Sequence, residues 1–456
     1  MEFSALDLTY DVCIISLLML IAKLVRIRVR PLQNLFIPTA LIAGFFGVLL
    51  GRHGLGVLTL SSQASSYAGI LITVLFATMY LGKQSGAKFS TMMRNVGDTF
   101  LLNSAAEILQ FGIALLVGGA LLRVLFPQLT GWFALMMPSG FAGGHGTAAA
   151  VGGVLEKAGW ADAVTIGQTF ATFGLLGGVF SGVLMINYCA RKGYTKVICR
   201  ASDLPEEMKT GLVPAEKQTS LGNGTISTMS MDPLTWHLVL IMVAVGASYL
   251  VGNAINRTFS VSVPTYGLAL VAGVLLQGGL NRLKLGSYVD RRVVSRIGSS
   301  VTDYLVAFGV ATIDVGVVMR YWQAILILCV LGFLVVWAYF MLVSRRLFCD
   351  HWVERGIYIW GWCTGVMSIA VLLLRIVDPE FKTGVLEDSG LAWIFVSFVD
   401  LALVTFLPIL VAGGLGLTSG AVLILVGLAL LGVCALRYGV RDKAGKVVFP
   451  ASKRGE

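Results

Sequence analysis

The sequence predicts an all-α polytopic membrane protein made of two inverted-topology repeats of five transmembrane helices, each with a re-entrant hairpin, plus one extra C-terminal transmembrane helix. Three observations predict it. Apolar residues make up 57% of the 456 residues, charged residues only 13%, and the mean hydropathy is +0.84. Soluble domains carry about 25% charged residues, so much of this surface must face lipid. Apolar runs close to the roughly 20 residues that a bilayer span needs recur along the whole chain, and two further apolar segments are interrupted by Gly and polar groups. The order of elements in the first half returns in the second.

In chain order, spans are expected at 10-25, 36-51, 66-82, 97-125, 162-190, 234-252, 262-280, 297-316, 321-344, 389-413 and 415-437. The first reads as a retained span, because Met1 to Asp11 holds three acids and no Lys or Arg, unlike a cleavable signal peptide. Segments 132-157 and 355-378 read as re-entrant hairpins. Non-helical backbone at membrane depth survives only where protein or a watery cavity satisfies it, so such segments line sites. The first repeat then spans 1-190 and the second 234-413. Between them, 191-233 is a cytoplasmic linker loop; 414-438 is the extra transmembrane helix and 439-456 a basic cytoplasmic tail. Ile37-Pro38-Thr39 with Gly44 opens the second span, and Val263-Pro264-Thr265 with Gly273 opens the seventh. In each half two spans, a hairpin and a closing span follow. Five spans per half invert the second half against the first, the pattern of a secondary transporter with its site near the midplane.

Charge sets the orientation. Lys and Arg number 34 against 24 Asp and Glu, for a net charge of +10. With the N-terminus outside and the C-terminus cytoplasmic, the inner loops hold 26 of these cations and the outer loops five, and Arg355, Arg375 and Lys382 belong to the second hairpin. Cations stay on the cytoplasmic side. No aromatic-interleaved basic patch occurs, so the excess marks topology and no nucleic-acid partner is expected. The seven Cys form no C-x-x-C pair, which implies no disulfide or zinc framework. The four His are widely spread and no H-E-x-x-H motif is present, which argues against an intramembrane enzyme; no P-loop is present for ATP-driven pumping within the chain. No cofactor is expected.

The residues best suited to chemistry begin at Ser139-Gly140-Phe141-Ala142-Gly143-Gly144-His145-Gly146-Thr147, followed by Ala171-Thr172-Phe173-Gly174-Leu175. Paired glycines let the backbone turn inward toward an ion or a carboxylate, and a half-helix starting there offers its amides to an anion. The plain alternative is close helix packing through small residues. His145 alone more often marks a satisfied interior residue than a ligand. Arg375 ends an apolar run; it either anchors a substrate carboxylate through its planar fork or pairs with Asp378, three residues on. Glu107 and Gln110 lie one turn apart inside the fourth span, where a carboxylate must be paired, protonated or ion-bound. Asp303, Asp314 and Asp400 raise the same question.

At Gly143 to Thr147, Ala149 and Ala171 to Leu175 the chain resembles the glutamate:sodium symporter family, whose first hairpin carries Ser-Gly-Gly-His-Gly-Thr-Gly-Ala and whose next span carries Ala-Thr-Phe-Gly-Leu. Phe398-Val399-Asp400 is similar to that family's Phe-Ile-Asp. The resemblance covers most of residues 1 to 413. The second hairpin departs from it: Gly365 and Ala370 hold the family's places in Gly361 to Ala370, and the Thr-Pro-Thr core is absent. The resemblance implies an inverted-repeat carrier, a homodimer in the cell (inner) membrane, that moves an acidic amino acid inward with sodium. Gly143, Gly144, His145, Gly146, Thr147, Gly365, Ser368 and Arg375 are then expected to hold the carboxylates of glutamate or a related small anionic solute. Thr147, Thr172, Asp400, Glu107 and Gln110 are expected to hold the coupling cation, while one bundle moves against the other. A proton-coupled carrier of a different organic anion is the alternative, and a passive channel or substrate-binding sensor stays open.

Overall fold

Helix α1 (Ala5–Arg28) starts where the sequence places a capping box. The Ser4 hydroxyl accepts from the Asp7 amide and the Asp7 carboxylate accepts from the Ser4 amide at 2.8 Å, while Arg26 and Arg28 close the helix at its negative dipole end. The computed structural model describes residues 4–34, 37–52, 54–82, 89–194, 210, 212–259, 265–348, 350–378 and 382–440. Val263, Pro264 and the tail from Arg441 lie outside the described residues, as does part of the linker loop.

After one short turn of helix, Arg30–Asn34, the longer elements are α2 (Thr39–Leu50), α3 (Ala64–Thr78) and α4 (Phe89–Ile113), which is kinked at Val96 and runs through a π-helical turn, Ala114–Gly118, into α5 (Gly119–Leu125). Next come α6 (Phe133–Phe141), α7 (Gly144–Lys157) and α8 (Ala163–Arg191), then α9 (Pro233–Phe259), α10 (Thr265–Arg282) and α11 (Arg291–Ala311). Helix α12 (Val315–Ala338) also passes through a π-helical turn, Tyr339–Ser344, into α13 (Arg345–Leu347). The chain ends with α14 (Trp352–Val377), α15 (Val385–Ala412) and α16 (Gly416–Tyr438). The fold is all-helical. Among the described residues seven segments are long and apolar enough to cross a membrane: Leu6–Arg28, Val96–Leu125, Ala163–Arg191, Pro233–Thr258, Val315–Leu347, Phe395–Ala412 and Gly416–Tyr438.

The other four expected spans are helices too, but each falls short for a visible reason. Helices α2 and α3 are apolar and have only 12 and 15 residues, where a span of about 30 Å asks for about 20 at 1.5 Å each. Helix α10 carries Gln277, Asn281 and Arg282, and α11 opens with Arg291, Arg292 and Arg296 and holds Asp303.

The chain divides into two compact units. The first comprises Met1–Arg30, Ile37–Gly86 and Glu206–Val315, and so holds α1 to α3 and α9 to α11; the second comprises Pro31–Phe36, Ala87–Pro205 and Gly316–Glu456, with α4 to α8 and α12 to α16. In the first unit, glycines bring helices together. A Cβ on Gly44 would lie 2.4 Å from Val310 Cβ, so α2 touches α11, and a Cβ on Gly273 would lie 2.8 Å from the Ala77 carbonyl, so α10 touches α3. These are the two glycines singled out beside the Pro-Thr starts. Arg291 Nη1 donates to Thr78 O at 2.6 Å and Leu81 O at 3.0 Å, and the Gln277 carbonyl takes the Gly82 amide at 2.7 Å, which satisfies the chain where α3 ends. Ala77, Leu81, Ile241, Ala244, Ala269 and Val294 form a buried core at this end.

In the second unit α16 runs along α4 through two glycines. A Cβ on Gly420 would meet the Leu116 amide at 2.7 Å, and one on Gly427 would meet Leu109 at 2.5 Å. The extra C-terminal helix therefore backs the helix that carries Glu107 and Gln110.

Candidate functional site

Two helices of the second unit break, and the breaks touch. Helix α6 ends at Phe141 and α7 begins at Gly144, with Ala142 and Gly143 between them and Gly144 at φ +66°. Helix α14 is interrupted at Gly365 and Val366. A Cβ on Gly144 would lie 2.3 Å from Val366 Cγ1, so only glycine allows this approach, both by its φ and by the space. The two breaks fall within the interrupted segments 132-157 and 355-378. Val366 has φ 66° and ψ 174°, a region essentially reserved for glycine, and a β-branched residue there stores about 1–3 kcal/mol of strain.

Helix α8 braces both breaks. Gly174, Gly178 and Gly182 recur every four residues on one face, and added Cβ atoms would meet Thr364 O at 2.5 Å, Thr364 Oγ1 at 2.3 Å and Leu373 Cδ1 at 2.5 Å. Trp360 Nε1 donates to Gly178 O at 3.3 Å and Thr364 Oγ1 to Trp360 O at 2.7 Å. On the side of the first hairpin, Thr172 Oγ1 donates its single proton to Gln168 O at 2.9 Å and meets His145 Nε2 at 3.0 Å. The hydroxyl is thereby the acceptor of the second bond, and His145 Nε2 carries a proton.

Two glutamines hold the interrupted backbone. Gln168 Nε2 donates to His145 O at 3.0 Å, and Gln110 Nε2 donates to Cys363 O at 2.8 Å. Both leave their Oε1 buried with no hydrogen-bond partner among the described residues, as is Glu107 Oε2. Buried oxygens in that state cost free energy unless something else satisfies them. The Glu107 and Asp400 carboxyls, 1% and 9% exposed, lie within interaction distance of one another. The structure therefore joins two of the expected cation residues directly, and α15, which bears Asp400, also packs against α7.

The remaining expected residues are placed as follows. Thr147 is buried in the first turn of α7 with its side chain against Gly143, and Gly146 is buried beside it. Gly365 is at the break itself; the Ser368 side chain lies outside the described residues. Arg375 is half-buried in the second half of α14, nine residues past Val366, about 13 Å along the axis. Asp378 accepts from the Lys382 and Thr383 amides, both at 2.9 Å, and from Thr383 Oγ1 at 2.5 Å. Its carboxylate thus anchors the loop that leaves α14. Partial burial pushes Asp378 up, and these donors outweigh that and hold it below the usual carboxylate value.

Sequence reasoning missed Gln168, Val366 and Arg355. Gln168 sits one turn before Thr172, a signal that was available. Arg355 is buried, and its guanidinium binds Asp350 at 3.0 Å, Asp388 at 2.7 Å and Thr99 Oγ1. It pins the start of α14 to α4 and α15.

The fold and the site define an all-helical membrane bundle in which two interrupted helices meet among buried acceptors. The chain matches the sodium/glutamate symporter family over residues 4–362 and belongs to it. Membership implies sodium-coupled glutamate transport by a multi-pass membrane protein. The match ends at Trp362, three residues before the break in α14. No curated protein matches the chain.

Proposed function

We propose that glutamate, or a small carboxylate close to it, is carried with sodium by alternating access, and that the solute sits where the two broken helices meet. The contact between Gly144 and Val366 carries this reading. The N-terminal turns of α7 and of the second half of α14 start at that contact, and helix N-termini favour anions. Interrupted helices in matching places are where transporters put substrate. Gly143, Gly144, His145, Gly146 and Thr147 with Gly365 and Ser368 then hold the carboxylates, and Arg375 supplies a fixed positive charge from the second half of α14. Thr147, Thr172, Glu107, Gln110 and Asp400 hold sodium; the unsatisfied Glu107 Oε2 and Gln110 Oε1 support this assignment, because a hard cation takes oxygen ligands.

The inverted repeat belongs to the same proposal. Each half supplies three helices to the first unit, then a long helix with a π-helical turn, a broken hairpin and a closing helix to the second. The paired glycine contacts, α2 on α11 and α10 on α3, are what a two-fold relation between α1–α3 and α9–α11 requires. We place the N-terminus outside and the C-terminus in the cytoplasm on the 26 to five distribution of cations. A homodimer in the cell membrane is the assembly the family resemblance implies, and native mass spectrometry of the detergent complex reads it.

Proton coupling is a second reading with an observation in its favour. Two buried carboxyls side by side, Glu107 and Asp400, repel when both are ionised, and a proton on one would relieve the pair as a cation would. Equilibrium binding of labelled glutamate to the purified protein separates the two. Sodium at fixed pH tightens binding in the first reading; acidification without sodium tightens it in the second. Arg375→Ala binding glutamate as tightly as wild type contradicts the role given to Arg375.

A further inference from the structure

The first unit holds a cationic cavity that the transport reading does not use. It measures about 550 Å³ and is lined by Thr219, Ser220 and Leu221 of the linker and by Arg291, Arg292, Ser295, Arg296 and Ser299 of α11. Its wall on α11 is one helix face, since Arg292, Ser295, Arg296 and Ser299 follow the i, i+3, i+4, i+7 spacing, and all four are exposed. The linker is seated opposite that face by a set of specific bonds. Asp290 caps α11 through the Arg292 amide at 2.7 Å and takes the Asn223 amide with its other oxygen at 2.7 Å. Thr225 Oγ1 and Trp236 Nε1 donate to Tyr288 O at 2.7 and 3.0 Å, and His237 Nε2 accepts the Asp290 amide at 2.8 Å while His237 Nδ1 donates to Pro233 O at 2.6 Å.

The lining is chemically one-sided. Arg291, Arg292 and Arg296 with Thr219, Ser220, Ser295 and Ser299 line a space that has no carboxylate residue in its wall among the described residues. Arg291 spends one nitrogen on the end of α3, whereas Arg292 and Arg296 have no ion pair with any described residue. Charge that marks sidedness alone needs neither interleaved hydroxyls nor a loop bound over it. A planar guanidinium fork matches the oxygens of a phosphate, the Thr219 and Ser295 hydroxyls add donors while those of Ser220 and Ser299 donate to Gly222 O and Ser295 O, and the first turns of a 21-residue helix add positive potential.

We propose that this cavity binds the phosphate group of an anionic phosphate ester, either the headgroup of an acidic phospholipid or a soluble phosphate. The ligand would bridge α11 and the linker segment from Thr219 to Leu221. The inference stands apart from the solute site, and neither Arg292 nor Arg296 has a part in glutamate or sodium binding.

Thermal unfolding of the purified full chain in phosphate-free buffer tests it. One arm titrates inorganic phosphate, and another compares short-chain phosphatidylglycerol with short-chain phosphatidylcholine. The midpoint is expected to rise with phosphate, with phosphatidylglycerol, or with both, and which arm responds identifies the source. Arg292→Ala and Arg296→Ala are each expected to weaken the apparent affinity about tenfold. Both side chains are exposed, so both variants fold. Arg257→Ala, an exposed arginine at the end of α9, is the charge control and should respond as wild type. An unresponsive wild type overturns the proposal, as does a double variant that responds like wild type.

Discussion

Gly144 and Val366 carry more of this molecule's geometry than any other pair, and they are testable as a pair. Gly144→Ala forces a left-handed L-residue, at about 1–2 kcal/mol, and an overlap with Val366 Cγ1, at about 1–3 kcal/mol. We expect a loss of about 3 kcal/mol in thermal or denaturant unfolding, with glutamate uptake abolished. Val366→Ala in the same chain removes the overlap and leaves the dihedral cost, so the double variant should recover about half of the loss. Strict additivity of the two substitutions would show that the breaks do not touch. The sequence made one partner legible and hid the other. Gly144 stands in a polar glycine run that announces a break, whereas nothing local to Val366 marks a β-branched residue for a glycine-only conformation. Glu107 and Asp400 were each conspicuous as carboxyls in apolar helices, but spacing along a chain does not report a tertiary partner 293 residues away.

The glycine face of α8 and the Arg355 cluster set how the elements hold the breaks. Gly178→Ala puts a Cβ 2.3 Å from Thr364 Oγ1 and should cost about 1–3 kcal/mol. Gly246→Ala on α9 meets nothing within 4 Å and should be neutral or stabilising by up to about 1 kcal/mol. Unfolding midpoints of the two variants, measured side by side, check the contrast. Removing Arg355 leaves Asp350 and Asp388 without their cation; these carboxylates keep partial water contact, 57% and 32% exposed, so we expect about 2 kcal/mol, below the 3–5 typical of a fully buried pair. On sequence, Arg355 counted only as one of the hairpin's cations, because burial against two other helices has no local signature. The helices themselves were legible to within about seven residues at their ends, and the broken apolarity of 132-157 and 355-378 marked the segments in which the two breaks lie. Helix α11 was harder, because its arginines serve the end of α3 and the linker as well as the membrane boundary.

At the scale of the whole molecule the linker's attachment is pH-dependent. Burial pushes the Asp290 carboxyl up, and the Asn223, Arg292 and Val293 amides outweigh it and hold the group below its ordinary value. A depressed carboxylate stabilises the folded state fully above its unfolded value of about 3.9 and loses that contribution as pH falls through its lower folded value. Hydrogen exchange at Asn223 should therefore stay protected down to about pH 4 and lose protection below it. Asp290→Asn should lose part of that protection already at pH 7.

The central claim is that the two broken helices form a sodium-coupled glutamate site, although the family match stops just short of the second break. Uptake of labelled L-glutamate into proteoliposomes under an inward sodium gradient tests it most directly, with a proton gradient and no gradient as controls. Accumulation driven by sodium, and lost in Gly144→Ala, is the expected result. Equal uptake with and without the sodium gradient, or no glutamate movement under any gradient, would contradict it.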